Sequence, residues 1–279
     1  MKRLATEHPL LFVVAVLLGW LFASLLAALA AAALLDTGLA TDLAQSLGTL
    51  AATGLLLLLA WRLGWLRPAG ISQLGGWRLW LLTLALVLYV CGAYHYAFFG
   101  TPFFDVGLLI RLPEARAILG RQLVVGFVEE TVFRGVLLYA LVRVWGTSRR
   151  GLFAAILTPA LLFGVLHLLQ LTTDQSPAAT LAVIVNGVVG GFWLGALVRR
   201  WGSLWPGVIL HALSNMVAQV GVLALPNVMS PANATLLATL LESPLLLLGA
   251  WWLLRVPLMG ERETAEAGAG EMVEGAMAA

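Results

Sequence analysis

Charge is what this chain conspicuously lacks. Asp, Glu, Lys and Arg make up 11% of its 279 residues, against 61% hydrophobic residues and a mean hydropathy of +0.96. Soluble globular domains carry roughly a quarter charged residues, so the composition excludes one as the main body and points to an integral membrane protein. Cysteine is almost missing as well. The single Cys91 can form no intrachain disulfide, and no thiolate cluster is present to hold a metal. A basic surplus is also lacking: the net charge is only +2, and its arginines are better explained by membrane topology than by nucleic-acid binding. Neither a His-Glu-x-x-His helix nor a soluble repeat occurs anywhere.

Long apolar runs fill the chain instead. A spanning helix takes about 20 mostly apolar residues, so this length holds about eight spans and no sizeable soluble domain. Reading runs and breaks together predicts helices at Leu10–Leu35, Leu43–Trp65, Leu79–Phe99, Ala115–Trp145, Leu152–Leu171, Ala178–Val198, Leu204–Leu225 and Ala234–Leu254. The expected fold is therefore an all-α polytopic transmembrane bundle. One membrane domain is expected over residues 1–259, and a disordered cytoplasmic tail rich in Gly, Ala and Glu over 260–279. Pro177, Pro206 and Pro231 fall near helix starts, where a missing N–H does least harm. Gly146 before Ser148, and Gly202 before Ser203, read as a stop followed by a cap, each closing a tight helical hairpin.

Basic residues should gather in alternate, cytoplasmic loops. Lys2 and Arg3, Arg62 to Arg78, Arg143 to Arg150, Arg199 and Arg200, and Arg255 and Arg262 all fall on one side of an eight-span arrangement. Asp36, Asp42, Asp105 and Asp174 fall on the other, with Arg111 and Arg116 as exceptions. Both termini are then expected on the cytoplasmic face, of a bacterial plasma membrane. Gly187, Gly191 and Gly195, spaced by four, give one helix a small face on which another helix can pack closely.

Few strongly polar residues remain within the spans, and they carry the chemical signal. Ionised groups at bilayer depth cost at least roughly 2.5 kcal/mol each, so they mark function by default. Glu130 and Arg134, four residues apart, share a helical face and can pair, while Glu129 is turned about 100° away with no partner on its own helix. Phe163 with His167, and His211 with Asn215, repeat the four-residue interval. Glu129 and His167 each lie 19 residues from Ser148, so they should stand level on adjacent helices, about 28 Å from that turn. For Asn186 an interhelical hydrogen bond is the simpler reading. Glu242, followed by Ser243 and Pro244, marks either a helix break or the start of a shorter last span, and is left without a role.

The three motifs, Glu129-Glu130-x-x-x-Arg134, Phe163-x-x-x-His167 and His211-x-x-x-Asn215, in that order on successive helices, resemble those of the CPBP family of intramembrane proteases. That family includes type II CAAX prenyl endopeptidases and bacterial relatives associated with bacteriocin self-immunity. The resemblance covers about residues 120–220. It implies that Glu129 activates water, that His167 assists it, and that His211 and Asn215 stabilise the transition state. Glu130, Arg134 and Phe163 would support them. The implied partners are the lipid bilayer and a membrane-associated peptide or protein substrate. A zinc-dependent version of the same protease, with Glu129, His167 and His211 as ligands, stays open as an alternative. So do a non-catalytic scaffold or immunity factor and a transporter, although no repeated halves are visible.

Overall fold

A computed structural model describes residues 1–35, 40–99, 107, 111, 113–172, 176–224 and 231–255. The tail expected over 260–279 lies outside the described residues. Those residues are all-helical, without strands. Helix α1 (Lys2–Glu7) precedes α2 (Pro9–Leu35), α3 (Ala40–Leu63) and α4 (Trp77–Phe99). Helix α5 (Pro113–Glu130) runs through a π-helical segment (Thr131–Leu137) into α6 (Leu138–Trp145). Helix α7 (Arg149–Leu166) ends in a 3₁₀ turn (His167–Thr172), and α8 (Pro177–Trp201), α9 (Trp205–Ala224) and α10 (Pro231–Arg255) follow.

Each long helix overlaps one predicted run, with ends shifted by a few residues. Four described stretches are long and apolar enough to cross a bilayer: Pro9–Leu34, Leu43–Leu63, Arg149–Leu169 and Pro177–Trp201. Trp77–Tyr89 is a shorter apolar stretch. Two irregularities were not anticipated. The run predicted as one continuous helix from Ala115 contains seven π-helical residues, and the run predicted through Leu171 tightens to 3₁₀ at His167. Both fall at motif residues. By contrast, no break occurs at Glu242: α10 runs through it and through Pro244.

The hairpin signals are met in part. Ser148 caps α7, its hydroxyl accepting from the Gly151 amide at 3.0 Å, and Ser176 caps α8 ahead of Pro177. Gly202 takes a left-handed φ of 65° after α8, a conformation that costs glycine nothing. Gly146 does not, with φ −68°, and Ser203 does not cap α9. The Ser203 hydroxyl instead donates to the Gln73 carbonyl at 2.7 Å. Together with Leu204 N–H on the Gly70 carbonyl (3.0 Å) and the Trp205 indole on the Ile71 carbonyl (3.1 Å), it sews the α3–α4 connection to the start of α9. That fastening holds the α9 end against the motif helices.

Helices α2 and α3 pack together, α9 lies on α5 and α4, and α8 lies between α7 and α10. The glycine stripe does what its spacing suggests. Gly187 faces Gly164 and Phe163, Gly191 faces Ala160 and the Arg134 guanidinium, and Gly195 faces Ile156. In lipid no hydrophobic gain separates helix from tail, so such close backbone approach supplies the dispersion contacts that hold the bundle.

Candidate active site

Glu130 and Arg134 form the buried base of the site. Their side chains are 0% and 2% exposed, and Arg134 Nη1 donates to Glu130 Oε1 at 2.7 Å. The pair is therefore the intrahelical bridge that the spacing predicts. Its guanidinium also lies over the Phe163 ring, 4.5 Å from the centroid. On the other side, Glu130 Oε2 abuts Gly207 in the first turn of α9, where any Cβ would sit 3.3 Å from the oxygen. The partial positive charge of that helix N-terminus favours a carboxylate there.

His211, one turn further along α9, joins the two acids. Its Nδ1–H donates to Glu130 Oε1 at 2.9 Å, and its Nε2 stands 3.4 Å from Glu129 Oε2. Because Glu130 Oε1 already accepts from Arg134, the Nδ1 side of the ring is fixed as the donor. The Nε2 side is left facing Glu129. Glu129 has no partner on its own helix, as expected, but its nearest polar neighbour comes from another one. Its side chain is 28% exposed, whereas Glu130 is sealed. The adjacent acids are thus separated into a reachable one and a structural one.

His167 is oriented by its own helix. Its Nδ1–H donates to the Phe163 carbonyl at 2.9 Å, which leaves Nε2 as the free acceptor. The Phe163 ring packs edge-on against both His167 (4.9 Å) and His211 (5.8 Å), and against Phe133 (5.0 Å). One ring therefore spaces both imidazoles. The 3₁₀ tightening at His167 and the π widening from Thr131 re-aim side chains at the two helix segments that meet here.

Two cavities meet at this aromatic centre. One of about 610 Å³ runs between α2, α3 and α7 and is lined by Trp20, Leu21, Leu25, Glu129, Phe133, Leu166 and His167 among others. Glu129 and His167 share its wall. A second cavity, of about 110 Å³, borders His167, His211 and Asn215. Asn215 does not stand free there: its amide donates to the Gln122 carbonyl oxygen at 3.2 Å, leaving one N–H. Gln122 is 4% exposed and was not recognised from sequence. Its distance of seven residues from Glu129, two helical turns on one face, was the available signal.

Depth differs with the helix used to measure it. His211 lies six residues past Trp205, where α9 begins, about 9 Å of helix. The path of about 28 Å along α7 to Ser148 is longer. Asn186 makes the interhelical bond expected of it, to Thr239 Oγ1 at 3.3 Å. As for zinc, no group of three His, Cys, Asp or Glu among the described residues is placed to hold a metal.

Among the described residues the interior of this helical membrane protein gathers two acids, two imidazoles, an arginine and a carboxamide, a combination that suits catalysis better than passive packing. Residues 111–217 match the family model described as Type II CAAX prenyl endopeptidase Rce1-like, a match that supports assigning this domain to the CPBP family. The match spans all three motifs, from the start of α5 into α9. The family that this model describes is one of proteases, hydrolases that act on membrane-associated proteins. No curated protein and no solved structure matches the chain.

Proposed function

We infer that this protein is an intramembrane endopeptidase in which Glu129 is the general base. The observation that carries the reading is His211, held by Glu130 and Arg134 with its Nε2 turned to Glu129, beside a cavity whose wall also includes His167. Water between the Glu129 carboxylate and the free His167 Nε2 gives its proton to Glu129. The resulting hydroxide adds to the scissile carbonyl carbon. The developing oxyanion takes hydrogen bonds from the Nε2–H of His211 in its imidazolium form, whose Nδ1–H stays on Glu130, and from the second Asn215 N–H. Glu129 then returns its proton to the departing amine, so atoms and charges balance.

The magnitudes suit the parts. A positioned base contributes typically about 10²–10⁴-fold, and one oxyanion donor about 10²–10³-fold. Glu130, sealed and bonded twice through one oxygen, holds Arg134 and His211 in register and meets no substrate. The Glu129–His211 distance of 3.4 Å is long for a hydrogen bond, as free-enzyme contacts often are before substrate tightens them. The mostly apolar 610 Å³ cavity suits an apolar stretch of a membrane-associated peptide. Residues 1–259 form one protease domain in this reading, with both termini on the cytoplasmic face of a bacterial plasma membrane.

The decisive experiment is cleavage of peptides in detergent micelles or vesicles by purified protein, with Glu129→Gln as the comparison. The substitution keeps the shape and removes the base. The variant should elute as wild type does and lose at least about 10²-fold in rate. Undiminished cleavage would remove Glu129 from the mechanism, and a membrane phenotype that survives the change would favour a scaffold.

A further inference from the structure

Glu242 is a buried acid that the mechanism above does not use. It lies inside α10, 3% exposed, within hydrogen-bonding reach of Asn186 on α8. Its Oε1 is buried with no hydrogen-bond partner among the described residues. An ionised carboxyl placed so within a membrane domain is costly and calls for a counterpart. Glu242 borders the same cavity of about 110 Å³ that His167, His211 and Asn215 border from the other motif helices.

The cavity wall is chemically mixed. Near the motif residues it has imidazole and carboxamide. Along its wall stand Leu210 and Leu246, the latter one turn beyond Glu242 on the same helical face. At the Asn186 end it has the carboxyl. Arg134 borders it too, at Gly191, five residues along α8 from Asn186 and so about 7.5 Å away. Its Nη1 is tied to Glu130 and its Nη2 has no hydrogen-bond partner, and it forms no ion pair with Glu242 among the described residues. Leucine walls closed by a carboxyl with one unpartnered oxygen suit a flexible aliphatic stem ending in a cation, which buries its methylenes and keeps its charge paired. The volume, worth a few waters at about 30 Å³ each, matches one side chain and not a second peptide strand.

We propose that Glu242 closes a specificity subsite beside the catalytic residues that receives a basic side chain of the substrate peptide. The inference rests on the protease reading for the word substrate, but the subsite itself can be probed without turnover. A quenched fluorescent peptide library in detergent micelles, with lysine or norleucine at each position in turn, is offered to wild type and its cleavage followed. Binding of the same peptides to the Glu129→Gln protein is measured in parallel. At one position lysine should exceed norleucine by at least about tenfold in kcat/KM and in affinity, the scale of a desolvated charge pair. Glu242→Gln should bring that ratio close to one, while Glu242→Asp should retain part of it.

A ratio near one in wild type at every position overturns the subsite, as does a preference that Glu242→Gln leaves intact. Should Glu242→Gln not fold, the wild-type and Glu242→Asp ratios decide: preference in the first and a weaker one in the second support the subsite, and equal preference in both overturns it. Cleavage without selectivity sinks the subsite and spares the protease reading. Lysine-selective binding without any cleavage does the reverse.

Discussion

Helix α2 and the π-helical segment Thr131–Leu137 are both mainly apolar in sequence, yet they occupy opposite environments. Every residue of the π segment is buried, including Arg134. On α2, Leu18 and Phe22 are 59% and 62% exposed. In water the more apolar segment would be the core. In a bilayer apolar side chains gain nothing by leaving the lipid, so the interior is claimed by groups that lipid cannot solvate and by small residues that let helices close on them. Arg134 is inside because Glu130 and His211 are, and Gly191 is small because Arg134 lies against it.

Four changes would break or sharpen this contrast. Arg134→Leu should do the most damage, because it leaves Glu130 buried without its cation. A loss of about 3–5 kcal/mol is expected, read as a collapse of the folded fraction in detergent on thermal unfolding. Survival of the variant near wild-type stability would mean that the pair does not organise the interior. Asn215→Ala should come next, lowering turnover by about 10²–10³-fold with the fold intact, if its remaining N–H meets the oxyanion. A loss no greater than that of Gln122→Ala would reduce Asn215 to a helix–helix contact.

Gly191→Ala tests the close approach itself. A Cβ there would lie 2.5 Å from Arg134 Nη2, and the guanidinium is held in place by Glu130. An overpacking cost of about 1–3 kcal/mol is expected in thermal unfolding, with reduced turnover as Arg134 shifts. Unaltered stability and rate would show that the guanidinium moves freely. The smallest effect belongs to α2, where Leu18→Ala should change stability in micelles by less than about 1 kcal/mol, since its side chain meets lipid in either case. A large loss would instead reveal a protein surface packed on that face.

The membrane character, the order of the helices and the three motifs were legible in the chain, because each rests on local composition or on a four-residue interval that any α-helix turns into one face. The Glu130–Arg134 bridge and the Gly187–Gly195 stripe follow from the same periodicity. Family resemblance joined the motifs into one site, but periodicity alone could not.

What tertiary structure decided was everything that depends on two helices meeting. That His211 bridges both glutamates, that Asn215 is partly spent on Gln122, and that Glu242 faces the same cavity as His167 and His211 are contacts across more than fifty residues of chain or between separate helices. The π widening at Thr131 and the tightening at His167 belong here too. Local propensity favours the regular helix at both places, and only packing around a shared polar centre, in a solvent that offers those groups no hydrogen bonds, supplies the reason to depart from it.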